Sequence, residues 1–228
     1  MIVAQFVAVI ILGYLLGSIP FGVIVGRRAA KVDIRQYGSG KIGTTNVLRT
    51  AGKKAAAAVA ILDALKGVLA VIFAGLIVGD DYLMVGGLGV GRLLAQSLAA
   101  LAAIAGHIWP VFLGFRGGRG VATFMGGLIA LCPPAAIFGG EVMIISAGLT
   151  RYASLGSIAG AVGTYAILVP LTILNGSPVE YLGYTLVGAI LIIIMHRDNI
   201  VRLVSGRERR LGEPVREIEP PGPPESTG

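Results

Sequence analysis

The feature that most constrains this chain is its alternation of long apolar runs with connections of very unequal charge. Apolar stretches cover about 2–26, 56–79, 86–108, 120–135, 136–150, 154–174 and 181–196. The cations between them are not evenly spread: Arg27 to Lys54 holds eight Lys/Arg, Arg116 and Arg119 follow the third stretch, Arg151 follows the fifth, and six more follow Met195. The remaining connections carry Asp80 and Asp81, then Pro133 and Pro134, then Asn175 to Glu180. Apolar runs of about 20 residues match a bilayer's hydrocarbon core, and Lys/Arg collect on its cytoplasmic side. Seven alternating spans put every basic connection on one side. The expected fold is all-α, a polytopic integral membrane protein with the N-terminus outside and the C-terminus cytoplasmic.

Composition supports a bilayer as solvent, because 228 residues that are 55% hydrophobic and 14% charged cannot hide their apolar surface in one water-soluble core. The net charge of +7 does not mark a nucleic-acid binder, since the cations are split among helix ends and the tail. The single cysteine, Cys132, excludes a disulfide framework. The first run lacks the basic start and cleavage site of a signal peptide and is read as a retained span. Spans four and five are short: about 15 residues reach about 22 Å as helix, against a ~30 Å core, so 120–150 is either two spans or a re-entrant hairpin. Gly156 and Gly160, four apart, suit close helix packing. Residues 1–205 form the transmembrane domain. The charges and prolines of 206–228 read as a cytoplasmic, largely disordered tail.

The chemistry lies in four cytoplasmic segments. "YGSGKIGTTNVLRTAGKK", Tyr37 to Lys54, sets Gly38, Gly40 and Gly43 beside Ser39, Thr44, Thr45 and Asn46, with Lys41 and Arg49 adding charge. Turning glycines aim backbone amides at one point and hydroxyls add donors, a combination that cradles phosphate; a flexible basic loop is the plainer alternative. In "GFRGGRGVAT", Arg116 and Arg119 flank Gly117 and Gly118 and precede Gly120 at a helix start. Such a start favours an anion, and guanidiniums grip phosphate bidentately. In "TRYASLGS", Arg151 stands near Ser154 and Ser157, which serve either as helix N-caps or as phosphate donors. In "HRDNIVRLVSGRE", His196 and Asn199 share a helical face beside an amphipathic pattern suited to a lipid surface. His107 is either a structural histidine or a base. Asp63 and Lys66, three apart inside the second stretch, form a structural ion pair. Glu141, inside the fifth stretch, has no nearby cation in sequence and no assigned role.

Three of these segments, "SGKIGTTNVLR", "GHIWPVFLGFRGGRGVAT" and "TRYASLGS", resemble in order the motifs of the acyl-phosphate-dependent glycerol-3-phosphate acyltransferases of bacteria, the PlsY family. "GSIPFG", "DALKG" and "HRDNIVRL" extend the resemblance over about residues 13 to 207. It implies a seven-span enzyme of the bacterial plasma membrane, with a cytoplasmic active site and no metal, nucleotide or other cofactor. That enzyme moves a fatty acyl group from acyl-phosphate to the first hydroxyl of glycerol 3-phosphate, giving lysophosphatidic acid and phosphate in the first acylation of phospholipid synthesis. Departures are Lys41 for the usual asparagine, Thr44 for alanine, and Arg116 and Arg119 for lysines. These retune phosphate geometry, since arginine binds as a fork.

The expected catalytic set is Ser39, Thr45, Asn46, His107, His196 and Asn199. The expected phosphate-binding set is Gly40, Lys41, Gly43, Arg49, Arg116, Gly117, Gly118, Arg119, Gly120, Arg151, Ser154 and Ser157. The partners are the two substrates and membrane lipids; nothing in the chain requires nucleic acid or an obligate protein partner. No nucleophilic cysteine or serine–histidine–acid arrangement is visible, so direct transfer is expected, with the glycerol phosphate's own phosphate taking the proton. An anion or phospholipid transporter is the alternative, disfavoured because no inverted repeat is visible and the cationic motifs gather on one face.

Overall fold

The computed structural model describes residues 1–85 and 88–213. The first apolar run is two helices, α1 (Ile2–Ser18) and α2 (Phe21–Ala30). They part at Pro20, whose nitrogen cannot donate to a preceding carbonyl. α3 (Thr44–Val78) is interrupted at Gly52, whose φ of 84° and ψ of 179° are open to glycine and strained for other residues. That break separates a short rim segment, 44–51, from the apolar span. β1 (Leu83–Val85) pairs antiparallel with β2 (Leu88–Val90), Leu83 opposite Val90. α4 therefore begins at Arg92 and ends at Ile108. The third apolar stretch had been expected from 86, because hydropathy alone does not separate a short apolar ribbon from a helix start.

α5 (Val121–Leu131) has 11 residues, and α6 (Pro133–Thr150) has 18. Proline is favoured in a helix's first turn, so α6 starts at Pro133, and the fifth span is longer than expected. α7 (Ala153–Asn175), α8 (Val179–Met195) and α9 (Arg197–Val204) follow, with α8 and α9 bent by 61°. Among the described residues, five helical runs are long and apolar enough to cross a membrane: Ile2–Ala30, α3, Arg92–Leu113, α6 and α7. The bent α8–α9 pair makes a sixth, and α5 is the shorter apolar helix.

Small residues set the packing. Gly13 and Gly17 of α1 lie against the backbone of Ala99 and Ala103 on α4. Gly67 of α3 faces the backbone at Thr123 and Gly127 of α5, and Gly126 of α5 faces Ala64 of α3. Gly156 and Gly160 of α7 do the same against Met143 and Gly139 of α6. Lipid tails give helices no hydrophobic reason to associate, so close van der Waals contact has to supply it. Around these seams the core is largely aliphatic, with an aromatic pair in it: Phe124 and Tyr184 stack with ring centres 5.4 Å apart, and the Tyr184 hydroxyl donates to the Phe124 carbonyl at 2.7 Å.

Residues 207–213 fold back onto the bundle. The Leu211 amide donates to the Arg151 carbonyl at 2.7 Å, and the Glu208 side chain is 5% exposed. The solvated tail expected from 206 therefore does not begin there; its remainder, 214–228, lies outside the described residues.

A valine at Gly126 would drive its side chain into the α3 backbone at Ala64, at a cost of about 1–3 kcal/mol. Gly126→Val should lower the thermal transition in detergent. Gly183→Ala, where the added methyl meets nothing within 4 Å, should leave it unchanged or slightly raised. Equal effects would contradict the glycine-seam reading.

Candidate functional site

The first loop is built on its own side chains. Ile34 and Ile42 are buried and seat it against Gly26 and Gly22 of α2. Asp33 accepts from the Arg35 guanidinium at 2.6 Å, which holds its carboxyl well below the usual range. Asn46, 2% exposed, is the loop's organiser. Its amide nitrogen donates to the carbonyls of Ile34, Lys41 and Tyr37 at 2.8, 2.9 and 3.1 Å, and its oxygen accepts from the Ser39 amide at 3.1 Å. These bonds give Asn46 a positioning part in the loop, and Asn46 is also among the residues that line the cavity. Ser39, Lys41, Gly43, Thr45 and Arg49 are left facing a common cavity.

The second loop returns on the end of α4. The Gly118 amide donates to the His107 carbonyl at 3.0 Å, and the Gly117 amide to the Ile108 carbonyl at 3.1 Å. These amides satisfy a helix C-terminus, so they do not serve the anion expected there. A side chain on Gly117 would meet Pro110 at 2.5 Å, and one on Gly118 would meet the His107 ring. The glycines are needed for close approach. Gly120 and Arg119 line the cavity. Burial lowers the Arg119 pKa to about 10, which leaves the group cationic at neutral pH. Arg116 is exposed and outside the cavity lining, and the half-buried Gly40 is outside it too.

Beneath this loop is a buried ionic cluster. The Lys66 ammonium lies 2.7 Å from the Asp63 carboxylate and donates to the Gly17 carbonyl at 3.2 Å. His107 Nδ1 is 3.4 Å from Lys66 Nζ and 3.6 Å from Asp63 Oδ1. The expected Asp63–Lys66 pair is therefore present, and His107 joins it. Asp63 and His107 also border the cavity.

The third and fourth segments meet the C-terminal strap, residues 207–213. Arg151 holds it: the guanidinium donates to the Leu211 carbonyl at 2.9 Å. Arg151 lies outside the cavity lining. Neither serine is the α7 N-cap, a position Tyr152 occupies. Ser157 donates back to the Ala153 carbonyl at 2.8 Å, whereas Ser154 donates to Glu208 Oε1 at 3.0 Å. Asn199 and Arg202 donate to the same carboxylate at 2.7 and 2.8 Å. His196 Nδ1 donates to the Ile192 carbonyl at 2.8 Å, which leaves Nε2 as an acceptor. Ser154, Ser157, His196 and Asn199 all border the cavity.

The cavity encloses about 460 Å³. Its polar wall carries Ser39, Lys41, Arg49, Arg119 and Ser154; its apolar wall is Ala60, Ala64, Val121, Met125, Met143, Ile144 and Ala147, from α3, α5 and α6. The Nε atoms of Arg49 and Arg119 are buried without a hydrogen-bond partner. Among the described residues no group of His, Cys, Asp or Glu is arranged to hold a metal ion. Sequence reasoning missed Glu208, Arg202 and Arg209 as cavity residues. The one available signal was a single acid inside the basic run "GRERR".

The family model described as glycerol-3-phosphate acyltransferase matches residues 7–206. "Glycerol-3-phosphate acyltransferase 3" of Dehalococcoides mccartyi is 63% identical over 216 residues, 95% of this chain and all (100%) of that protein. "Glycerol-3-phosphate acyltransferase" of Halalkalibacterium halodurans is 45% identical over 199 residues, 87% of this chain and 92% of that one. The crystal structure of PlsY (YgiH), an integral membrane glycerol 3-phosphate acyltransferase, in its glycerol 3-phosphate form, matches with a TM-score of 0.77 at 37% identity, covering 91% of this chain and 96% of that one. Its lysophosphatidic acid form matches with a TM-score of 0.76 at 36% identity, covering 91% and 95%. The chain belongs to the glycerol-3-phosphate acyltransferase family and is a membrane acyltransferase of the PlsY kind.

Proposed function

We propose that the cavity transfers a fatty acyl group from acyl-phosphate to the 1-hydroxyl of glycerol 3-phosphate. The new bond joins that hydroxyl oxygen to the acyl carbon, the bond from the acyl carbon to the phosphate oxygen breaks, and the products are lysophosphatidic acid and inorganic phosphate. The observation that carries this reading is the pair of buried guanidinium nitrogens, Arg49 Nε and Arg119 Nε, without partners on the wall of a mostly apolar cavity. A buried polar hydrogen is nearly always paired, and a phosphate oxygen is the acceptor a guanidinium fork fits best. The glycerol 3-phosphate and lysophosphatidic acid forms of the similar PlsY support a phosphorylated acceptor and a phosphorylated product.

Each wall then has a task. Arg119 and Arg49, with Lys41, Ser39 and Thr45, hold phosphate and face the developing oxyanion. The apolar wall takes the acyl chain, and its place beside the cations brings the acyl carbon next to the acceptor hydroxyl. Glu208 pairs with Arg202 and engages Ser154 and Asn199, whereas Arg49 and Arg119 make no salt bridge among the described residues and keep an unpartnered Nε for an anion. Acyl-phosphate is already activated, and the hydroxyl proton passes to the acceptor's own phosphate. His196, with a free Nε2, is the competing base. We read the enzyme as seven spans in a bacterial plasma membrane, with the N-terminus outside and the cavity on the cytoplasmic side, because the basic segments that build the cavity are those the charge distribution assigns to the inside.

Three outcomes are expected. Purified enzyme should convert labelled glycerol 3-phosphate to lysophosphatidic acid with palmitoyl-phosphate; conversion with palmitoyl-CoA alone would contradict the donor. Arg119→Ala should lower kcat/KM about 10²-fold or more, while Arg116→Ala, outside the cavity, should change it less than about threefold. The reverse ranking would move the phosphate site. His196→Ala, followed across pH, should lose activity only modestly; a fall of about 10³-fold in kcat at unchanged KM would make His196 the base.

A further inference from the structure

α6 carries an acid on the face it turns away from the bundle. Glu141 is exposed, eight residues beyond Pro133 and nine short of Thr150, so it lies about 12 Å from one end of the helix and about 14 Å from the other. A glutamate side chain reaches neither interface from that depth. None of the ion pairs among the described residues includes Glu141. The same face shows Phe138, Ile145 and Gly148, at successive spacings of 3, 4 and 3 residues through Glu141. Ile145 is 59% exposed, and a methyl group on Gly148 would meet nothing within 4 Å.

Ionisable groups inside a span face the bundle interior or each other, because hydrocarbon offers them no hydrogen-bond partner. Glu141 faces outward, so the interior it belongs to is completed by a surface outside this chain. We propose that a second copy covers this face: two α6 helices pack in parallel about a two-fold axis along the membrane normal, and the Glu141 carboxyls meet across it sharing a proton. Three observations select a second copy. A carboxylate and a carboxylic acid are complementary, so one residue type satisfies itself across a two-fold interface. The 3–4–3 spacing is the seam that two helices crossing at about 20° present to each other. Gly148, open on that seam, lets the backbones approach. The acid lies outside the cavity lining, so this inference does not depend on the proposed reaction.

The test counts subunits. Wild-type enzyme carrying one fluorophore is reconstituted into liposomes at a fixed low protein-to-lipid ratio and scored by stepwise photobleaching. Two-step traces should dominate. Glu141→Leu should lower the association constant by at least about tenfold while keeping acyltransferase turnover, and Glu141→Gln, whose amides can pair reciprocally, should stay dimeric. Gly148→Phe, which keeps the acid and blocks the seam, should also give single steps and guards against misfolding of the leucine variant. Single steps in the wild type, or unchanged association in Glu141→Leu or Gly148→Phe, would overturn the proposal.

Discussion

The architecture depends on backbone-to-backbone contact between α3 and α5. Gly67 and Gly126 remove the side chains that would hold these helices apart, and the short α5 can then dock inside the bundle. With α5 in place, the preceding loop has to turn back on α4, where the Gly117 and Gly118 amides cap the Ile108 and His107 carbonyls. That turn carries Arg119 inward and leaves Arg116 outside. The buried Asp63–Lys66–His107 cluster lies under the same turn and ties it to the end of α1 through the Gly17 carbonyl. Removing Asp63 or Lys66 would leave its partner as an uncompensated charge in a low-dielectric interior.

The proposed acyl-transfer cavity follows from this geometry. Acyl transfer between two phosphorylated reactants needs cations for the phosphates and a dry surface for the chain, with the two surfaces adjoining. Here the first loop supplies Arg49 and Lys41, the second supplies Arg119, and α3, α5 and α6 supply the apolar wall. Glu208 makes the arrangement more selective. By engaging Ser154, Asn199 and Arg202, it occupies three donor groups on the rim of a strongly cationic cavity.

Much of this was legible in the sequence, for identifiable reasons. Apolar length and charge asymmetry mark the helices, and residues such as Ser39, Arg49, Arg119, Ser154 and His196 meet in one cavity as their motif types suggested. What local pattern could not reveal was which donors are already engaged. Asn46 reads as a polar group free for chemistry, yet its amide organises its own loop. Gly117 and Gly118 read as an anion nest, yet they serve a helix end. Arg151 reads as a phosphate ligand, yet it grips the strap at Leu211. Glu208 sits in a run with the composition of a solvated tail, and only its distant partners on α7 and α9 identify it as buried.

The central claim is that guanidiniums from separate loops share one bound phosphate beside the acyl slot. Dipolar recoupling between the phosphorus of bound glycerol 3-phosphate and ¹⁵N-labelled arginine side chains, in enzyme held in bilayers, tests it directly. The account predicts strong coupling to Arg49 and Arg119 together, and none to Arg116 or Arg151. Coupling confined to Arg116 or Arg151, or to one loop alone, would contradict it.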